Sequence, residues 1–258
     1  PGCKTISESG KKAGDRKLAF LIDFQTRATQ FYQEAIKRVH EGAIGKFTFG
    51  ETCYQCGALG LQAAPGTPEA RLRNWVFDIA LSGDIIVEQN IHTLDVMNWV
   101  FQKPPLHVVG SGGRKVRLEA GDCFDHFALL YQYDEGIPVV FNSKQYNDGA
   151  GEHDQGISVE VFGTLGRLET KYGGKVMILG KNFYAGGTTG GIYQDGAVSN
   201  IAAFHRQVTG GEINNTTVEP SVQSNMIAIM GRMAAYGRKI VTWDELVKTS
   251  EKLDPKLE

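Results

Sequence analysis

The chain of 258 residues lacks several features that would place it in a specialised class of protein. Its longest apolar runs, such as residues 18–22, are far shorter than the ~20 residues of a membrane-spanning helix. Its 27 Lys and Arg residues are balanced by 29 Asp and Glu, which excludes nucleic-acid binding by bulk electrostatic attraction. Hydrophobic residues make up 41% of the chain, too many for a disordered protein. We therefore expect a globular protein with neither nucleic acid nor membrane as a partner.

Cysteine is scarce, with four residues at positions 3, 53, 56 and 123. Only Cys53 and Cys56 form a Cys-x-x-Cys pair. A structural zinc ion needs four ligands, normally two such pairs or one pair with two closely spaced histidines, and the six histidines are scattered. We therefore predict no metal site at the cysteines and reduced thiols in or near a strand.

The chain also lacks a dinucleotide-binding fingerprint, which needs G-x-G-x-x-G between a strand and a helix. The glycines at 110–113 follow a predicted strand, but no predicted helix comes after them. The sequence GGTTGG at residues 186–191 has no predicted strand–helix context either. We therefore expect no cofactor to be bound by this chain alone.

No basic segment followed by an apolar one is visible, so the sequence shows no signal peptide. This predicts a cytoplasmic protein. An exported form stays open, because the chain begins with Pro1 and its native N-terminus is not visible.

The chain has 32 glycines, which separate predicted helices and strands, and the hydrophobic pattern changes along the chain. The first part predicts a buried strand at 18–22, a strand at 46–54, a Gly- and Pro-containing loop at 55–72, and helices at 4–14, 28–41 and 84–101. Period-two alternation then predicts strands at 106–110, 114–118, 124–133, 137–146, 157–162, 165–170 and 175–179, with turns at 134–136 and 163–166. Helices follow at 197–209, 220–236 and 244–249. This order predicts an α+β fold with an open, predominantly antiparallel sheet.

The predicted helix at 84–101 carries the most informative side chains. On a continuous helix, Glu88, His92, Asp95 and Trp99 fall on one narrow stripe, while most of the remaining perimeter is apolar. Ionisable groups on a buried helix are costly unless they are paired or used. Three interpretations stay open: a satisfied network with a Glu88–His92 pair, a general acid/base site, and a metal site.

Other polar and aromatic residues stand at strand ends and in loops, where they could form the wall of a binding site. They are Arg27 after the predicted strand, Asn74 and Trp75 before the helix, and the loop 144–153 with Tyr146. Aromatic rings beside polar groups suit a carbohydrate. The alternative interpretation of each is an ordinary solvated loop residue.

The helix motif LSGDIIVEQNIHTLDVMNW at residues 81–99 resembles the central motif of the Gfo/Idh/MocA oxidoreductase family. Four further segments are similar to that family: IKRVHEGAIGK at 36–46, SVEVFGTLG at 158–166, IMGRMAAY at 229–236 and VTWDE at 241–245. The resemblance therefore extends over almost the whole chain.

This resemblance implies a two-domain enzyme that uses NAD or NADP and acts on a sugar, polyol or glycoside. Residues 1–27 resemble the end of a Rossmann domain. Residues 28–258 resemble the family's C-terminal domain, an open antiparallel sheet with helices on one face that binds substrate and forms homo-oligomers through the sheet. The family's phosphate loop and its Glu-Lys-Pro motif would precede residue 1, so we expect this chain alone to be inactive.

The resemblance also implies roles for single residues. His92 would transfer the proton, with Glu88, where the family usually has Asp, as its acidic partner. Asp95 would accept a substrate hydroxyl group, and Arg27 and Trp75 would line the pocket. Two alternatives to this function stay open: a stand-alone, non-catalytic module for sugar binding or oligomerisation, and part of an NAD-dependent glycoside hydrolase.

Overall fold

A computed structural model describes residues 1–149 and 156–257 and confirms the α+β fold. Its helices are α1 (Gly2–Asp15), α2 (Gln25–Ala28), α3 (Gln30–His40), α4 (Ala70–Arg73), α5 (Ile79–Ser82), α6 (Ile85–Glu88), α7 (Ile91–Phe101), α8 (Ile192–Gly210), α9 (Val218–Gly237) and α10 (Trp243–Lys248). Its strands are β1 (Phe47–Cys56), β2 (His107–Gly113), β3 (His126–Gln132), β4 (Pro138–Gln145), β5 (Ile157–Gly163), β6 (Gly166–Lys171), β7 (Lys175–Gly180), β8 (Tyr184–Thr188) and β9 (Val241–Thr242).

The chain folds into two compact units. The first comprises Pro1–Gly50, Asp95–Pro104 and Ser158–Met226, and the second comprises Glu51–Leu94, Pro105–Ile157 and Ile227–Glu258. The elements β1, β5, α7 and α9 contribute residues to both units. The predicted boundary after residue 27, between a Rossmann remnant and a C-terminal domain, stays a prediction.

In the first unit the strand order is β1-β5-β6-β7-β8, and β5 to β8 form an antiparallel meander. Helix α3 packs on β6, β7 and β8. Its buried side chains recur at the spacing of one helix face: Tyr32, Ala35, Ile36 and Val39. The predicted turn at 163–166 joins β5 to β6, and a Cβ atom at Gly163 would collide with the Ile44 carbonyl.

In the second unit the strand order is β1-β4-β3-β2-β9, with antiparallel pairing from β4 to β9. Strand β3 buries Phe127, Leu129 and Tyr131 on one face, whereas Leu130 on the other face is exposed. Helix α9 covers the buried face at Gly231, which the Tyr131 hydroxyl approaches closely. The helix thus lies on one face of these strands and leaves the other face uncovered, as the sequence predicted.

The predicted strand at 18–22 is wrong, because these residues lie outside the strands of the structure. Leu18 is 56% exposed. The backbone N–H groups of Phe20 and Ile22 donate to the side chains of Asn215 and Thr217, at 2.8 and 2.9 Å. Side-chain acceptors therefore replace the neighbouring strand that this apolar run would otherwise need.

The predicted strand at 114–118 is also wrong. The buried carboxylate of Asp125 accepts hydrogen bonds from the backbone N–H groups of Lys115, Val116 and Arg117, at 2.7–3.0 Å. These donors serve a loop and are not available to a strand ladder. Strands β8 and β9 escaped prediction because one is Gly-rich and the other has only two residues.

Two further expectations concern the cysteines and the membrane. Cys53 and Cys56 both lie on β1, which confirms their placement in a strand, and all four cysteines are free thiols. Within the described residues, no helix combines the length and apolar character needed to cross a bilayer.

Candidate active site

The predicted continuous helix at 84–101 is divided into α6 and α7, so its stripe of polar side chains is interrupted. Helix α6 is a single turn that ends at Glu88, and α7 begins at Ile91. At the break the N–H of Asn90 donates to the Ile85 carbonyl at 2.8 Å, five residues back instead of four. His92, Asp95 and Trp99 remain on α7, but regular helical angles do not relate Glu88 to them.

The turn that leads into α6 is built around Asp84. Gly83 ends α5 with a left-handed backbone at φ 80°, and Asp84 follows at φ 84°, ψ 160°. The Asp84 carboxylate is fully buried. Its Oδ1 accepts from the N–H of Ile85 at 2.6 Å, which caps the short helix.

The other carboxylate oxygen of Asp84 binds two distant donors. The Tyr236 hydroxyl donates to Oδ2 at 2.5 Å, and the backbone N–H of Phe124 donates to it at 3.1 Å. The rings of Phe124 and Tyr236 stack at 3.8 Å between centroids. Burial raises the pKa of Asp84 to about 6, although these donors oppose the shift.

Glu88 is a half-buried acid that titrates near neutral pH. Removal from water raises its pKa to about 7, and the negative charge of Asp84 adds to the rise while Arg117 opposes it. Its buried Oε1 has no hydrogen-bond partner among the residues that the structure describes. A carboxyl group in this state can hold or release a proton at neutral pH, as a general acid or base must.

The side chain of Gln89, the residue after Glu88, binds Gln145 of the predicted wall segment 144–153 and Cys56 of β1. The Gln145 Nε2 donates to Gln89 Oε1 at 2.9 Å, and the Cys56 thiol donates to the same oxygen at 3.4 Å. Burial raises the pKa of Cys56 to about 11, so this thiol is neutral at pH 7. The signal for Gln145 was the alternation of β4, which places it on the buried face with Phe141.

Arg27 and Asp95, two separate candidates in the sequence, are in direct contact. The Arg27 Nε and Nη2 donate to the two oxygens of Asp95 at 2.8 and 2.9 Å. The Asp95 side chain is fully buried and also accepts from the Ser224 hydroxyl at 2.7 Å. The Arg27 guanidinium lies over the Trp99 ring at 5.0 Å. This pair holds a largely buried cation in one orientation.

Trp75 and Tyr146 lie on separate segments of the second unit. Trp75 begins a short 3₁₀ helix at Trp75–Phe77 and is 45% exposed. Tyr146 follows β4 and is half-buried, with the Lys144 ammonium 5.6 Å above its ring. Residues 150–155 of the predicted loop lie outside the described residues. The part that Trp75 and Tyr146 play in binding stays a prediction.

Asn74 has a structural role that the sequence did not specify. Its side chain is buried, and its Oδ1 accepts from the N–H groups of Gln62 and Ala63 at 2.7 and 3.2 Å. Its Nδ2 donates to the Ala63 carbonyl at 2.8 Å. Asn74 therefore fastens the long loop that precedes Trp75.

Neither of the two glycine-rich runs has the features of a dinucleotide-binding turn. The glycines at 110–113 lie on β2, and no helix follows them, as predicted, although a loop takes the place of the strand expected at 114–118. The expectation for residues 186–191 was wrong, because this run begins within β8 and ends directly before α8. Strand β8 is nevertheless antiparallel to β7, and Asp195 in the first turn of α8 places a negative charge where a pyrophosphate would lie.

A metal site is likewise not assembled. Among residues 1–149 and 156–257, no three His, Cys, Asp or Glu side chains converge in a way that could hold a metal ion. Asp95, one of the three residues considered for such a site, is bonded to Arg27 and Ser224.

Comparison with known proteins identifies the family. The profile of the GFO/IDH/MocA C-terminal domain matches residues 32–169. A protein from Thermotoga maritima assigned as an oxidoreductase shares 19% identity and a TM-score of 0.70, covering 93% of this chain and 68% of that one. No curated protein matches in sequence.

Two further solved structures have the same fold. Levoglucosan dehydrogenase in complex with NADH and levoglucosan shares 16% identity and a TM-score of 0.69, covering 93% of this chain and 70% of that one. The myo-inositol 2-dehydrogenase from Lactobacillus plantarum shares 18% identity and a TM-score of 0.66, covering 92% and 69%. With more than half of its residues matched by the family profile, the chain belongs to the Gfo/Idh/MocA family and contains that family's C-terminal domain.

Proposed function

We propose that this chain is the substrate-binding part of an NAD(P)-dependent oxidoreductase that acts on a sugar, polyol or glycoside. The proposal rests mainly on the state of Glu88. This acid lies at the end of α6, four residues before His92, and its pKa is raised to about 7. The relatives support the substrate class, since two of them are dehydrogenases of levoglucosan and of myo-inositol.

His92 is the proposed proton-transfer residue. Oxidation of an alcohol requires removal of its hydroxyl proton, and an imidazole can accept a proton near neutral pH. His92 lies half-buried in the first turn of α7, where its backbone N–H donates to the Gln89 carbonyl at 3.4 Å. Glu88, as the acidic partner, can exchange a proton in the same pH range.

The remaining candidates would position the substrate. Arg27 presents the donors that Asp95 leaves unbonded, and hydroxyl oxygens accept hydrogen bonds from a guanidinium. Direct acceptance of a hydroxyl by Asp95 stays a prediction. Its full burial and its bonds to Arg27 and Ser224 support an additional role in orienting Arg27. Trp75 and Tyr146 would offer aromatic faces to the substrate.

NAD or NADP would be held by residues outside those described. In the complete enzyme the nicotinamide would accept the hydride, and the residues of this chain would supply orientation and proton transfer. NADH in the complex of the levoglucosan enzyme supports this cofactor class for the family fold.

Self-association through the sheet is the second part of the proposal. Val109, Leu130 and Val140 lie side by side on β2, β3 and β4, and each is 37–44% exposed. The water-facing side of an antiparallel sheet is normally polar. An apolar row across three strands supports contact with a second copy.

The decisive experiment uses the full-length gene product with NAD or NADP and a panel of polyols, sugars and glycosides. Reduction of the cofactor in the presence of one of them is expected. The variant His92→Asn should lower kcat by about 10²–10⁴-fold with a small change in KM. The matched control His205→Asn, an exposed residue on α8, should retain full activity.

Other outcomes would point to the alternatives. Release of an aglycone from a glycoside would identify a glycosidase. Sugar binding by a full-length protein that ignores both nucleotides would leave a non-catalytic module and overturn the proposal.

A further inference from the structure

Asp84 combines an unusual backbone conformation with a buried carboxylate, and the proposed roles of His92 and Glu88 do not account for either. Its backbone angles, φ 84° and ψ 160°, lie in a region that is almost restricted to glycine. Its carboxylate is also fully buried, which is unfavourable for a charge. Such a combination persists only when the surroundings hold it in place.

The surroundings do hold Asp84 from three elements. The Tyr236 hydroxyl on α9 and the Phe124 N–H before β3 bind Oδ2, and the Ile85 N–H of α6 binds Oδ1. The backbone N–H of Asp84 itself donates to the Ser82 hydroxyl at 3.0 Å. We call Asp84 with the Tyr236 hydroxyl and the Phe124 N–H the Asp84 clamp.

The clamp acts on Glu88 through the single turn of α6. The Glu88 N–H donates to the Asp84 carbonyl at 3.0 Å, so the two acids stand four residues apart in one helical turn. Asp84 is the N-cap of this turn, and its negative charge raises the pKa of the Glu88 carboxyl group.

We propose that Asp84 is a positioning residue of the proton-transfer site: it fixes the turn that carries Glu88, and its clamped negative charge favours the protonated form of the Glu88 carboxyl group. This inference rests on the proposed function only for the chemical use of that proton. The coupling between the two carboxyl groups is a property of the chain itself.

Other charged and titratable groups also act on the two carboxyl groups. Arg117, which lies over the Phe77 ring and donates to the Phe124 carbonyl, lowers the pKa of Glu88. Arg232, which donates to the Gly83 carbonyl, lowers that of Asp84. The thiols of Cys56 and Cys123 have raised pKa values and are neutral at pH 7.

These opposing cations do not cancel the effect of burial and of the second acid. Burial therefore leaves the pKa of Asp84 at about 6, and burial together with the charge of Asp84 leaves that of Glu88 at about 7.

Carboxyl titration by NMR on the full chain, labelled with ¹³C at Asp and Glu side chains, tests the coupling without any enzyme assay. Asp84→Asn removes the charge and should lower the pKa of Glu88 by about 1 unit. Tyr236→Phe removes a donor from Asp84, which should raise the pKa of Asp84 and lower that of Glu88. The control Asp78→Asn, at the N-cap of α5, should leave the Glu88 titration unchanged.

If Asp84→Asn does not fold, Asp84→Gly removes the charge at a position where glycine is unstrained, and the same fall in the Glu88 pKa is expected. An unchanged Glu88 titration in the folded Asp84 variants would overturn the inference, and a loss of stability alone would indicate a structural role only. In the active full-length enzyme, the same variants should shift the pH profile of kcat/KM. Absence of activity with a shifted titration would count against the proposed function and leave the coupling intact.

Discussion

Asp95 carries the most deeply buried charge of the first unit, and two side chains stabilise it. Replacing it with Ala would leave the Arg27 guanidinium, whose side chain is only 15% exposed, without its bidentate partner. Loss of one member of a buried ion pair typically destabilises a protein by about 3–5 kcal/mol. We therefore expect Asp95→Ala to lower the free energy of unfolding by about this amount in urea denaturation.

The matched control is Glu41→Ala, which breaks the exposed pair of Lys37 and Glu41, where both side chains are more than 60% exposed. Solvent screens such a pair, so its loss should leave stability almost unchanged. Equal effects of the two substitutions would contradict the view that the Arg27–Asp95 pair is held in a low-dielectric site.

The raised pKa of Glu88 predicts how the stability of the chain depends on pH. Its pKa is about 7 in the folded chain against an ordinary value of 4.5. The folded state therefore binds more protons than the unfolded state between these values, and the contribution of Glu88 to stability falls as the pH rises through this window. Glu88→Gln removes the effect, so from pH 4.5 to 7.5 its stability should rise relative to the parent by about 2–3 kcal/mol.

Glu245 provides a control of opposite sign. Its bonds with the Thr242 N–H and hydroxyl lower its pKa, so it stabilises the fold above its ordinary pKa and loses this effect as the pH falls. Glu245→Gln should therefore weaken the fold mainly at neutral pH. Parallel pH profiles for the Glu88 variant and the parent would show that Glu88 ionises normally.

At the scale of elements, the contact of α9 with β3 depends on a glycine. A Cβ atom at Gly231 would collide with the Tyr131 hydroxyl and approach the Leu129 side chain to 2.7 Å. Overpacking of this kind costs about 1–3 kcal/mol, although alanine favours a helix by up to about 1 kcal/mol over glycine. We expect Gly231→Ala to be destabilising in thermal unfolding.

Gly210, also in a helix, tests the same substitution without the contact. A Cβ atom there would meet no heavy atom within 4 Å. Gly210→Ala should therefore be neutral or stabilising by a few tenths of a kcal/mol. A stabilised Gly231→Ala protein would mean that α9 moves away from β3 at little cost.

Local patterns predicted the elements whose interactions are local. The alternation of 157–170 predicted the hairpin of β5 and β6, and the helix predicted at 28–41 corresponds to α3. The break at Gln89 and Asn90 was missed, because the preceding turn is held by Phe124 and Tyr236, far away in the sequence. The loop at 114–118 was missed for the same reason, since Asp125 organises it.

In the candidate site, too, single residues were predicted from local patterns, whereas contacts between distant residues were not. The sequence indicated Arg27 and Asp95 as separate residues, but a contact across 68 positions could not be read from either segment. Gln145 was predicted only as part of the loop 144–153, and Gln89 was not among the candidates. Their contact spans 56 positions, and only the fold brings the two side chains to 2.9 Å. Tyr236 lies in the segment 229–236, which resembles the family, but only the structure shows that its hydroxyl group donates a hydrogen bond to Asp84.

At the scale of the whole molecule, we predict that copies of the chain associate through the exposed face of the sheet in the second unit. Val109, Leu130 and Val140 are directly paired across β2, β3 and β4, so their side chains form one continuous apolar row. The next paired residues, Ser111, Ala128 and Asn142, are small or polar and allow a close approach.

A second copy can therefore bury this row, and we predict dimers or larger assemblies at micromolar concentration by light scattering. Leu130→Glu places a charge at the centre of the row without touching the buried face of β3, so it should yield folded monomers. Val247→Glu, at an equally apolar residue of α10 that is 57% exposed, should leave the assembly intact. Assembly that survives Leu130→Glu would locate the interface elsewhere, and a parent chain that stays monomeric would show that the apolar row does not bind a second copy.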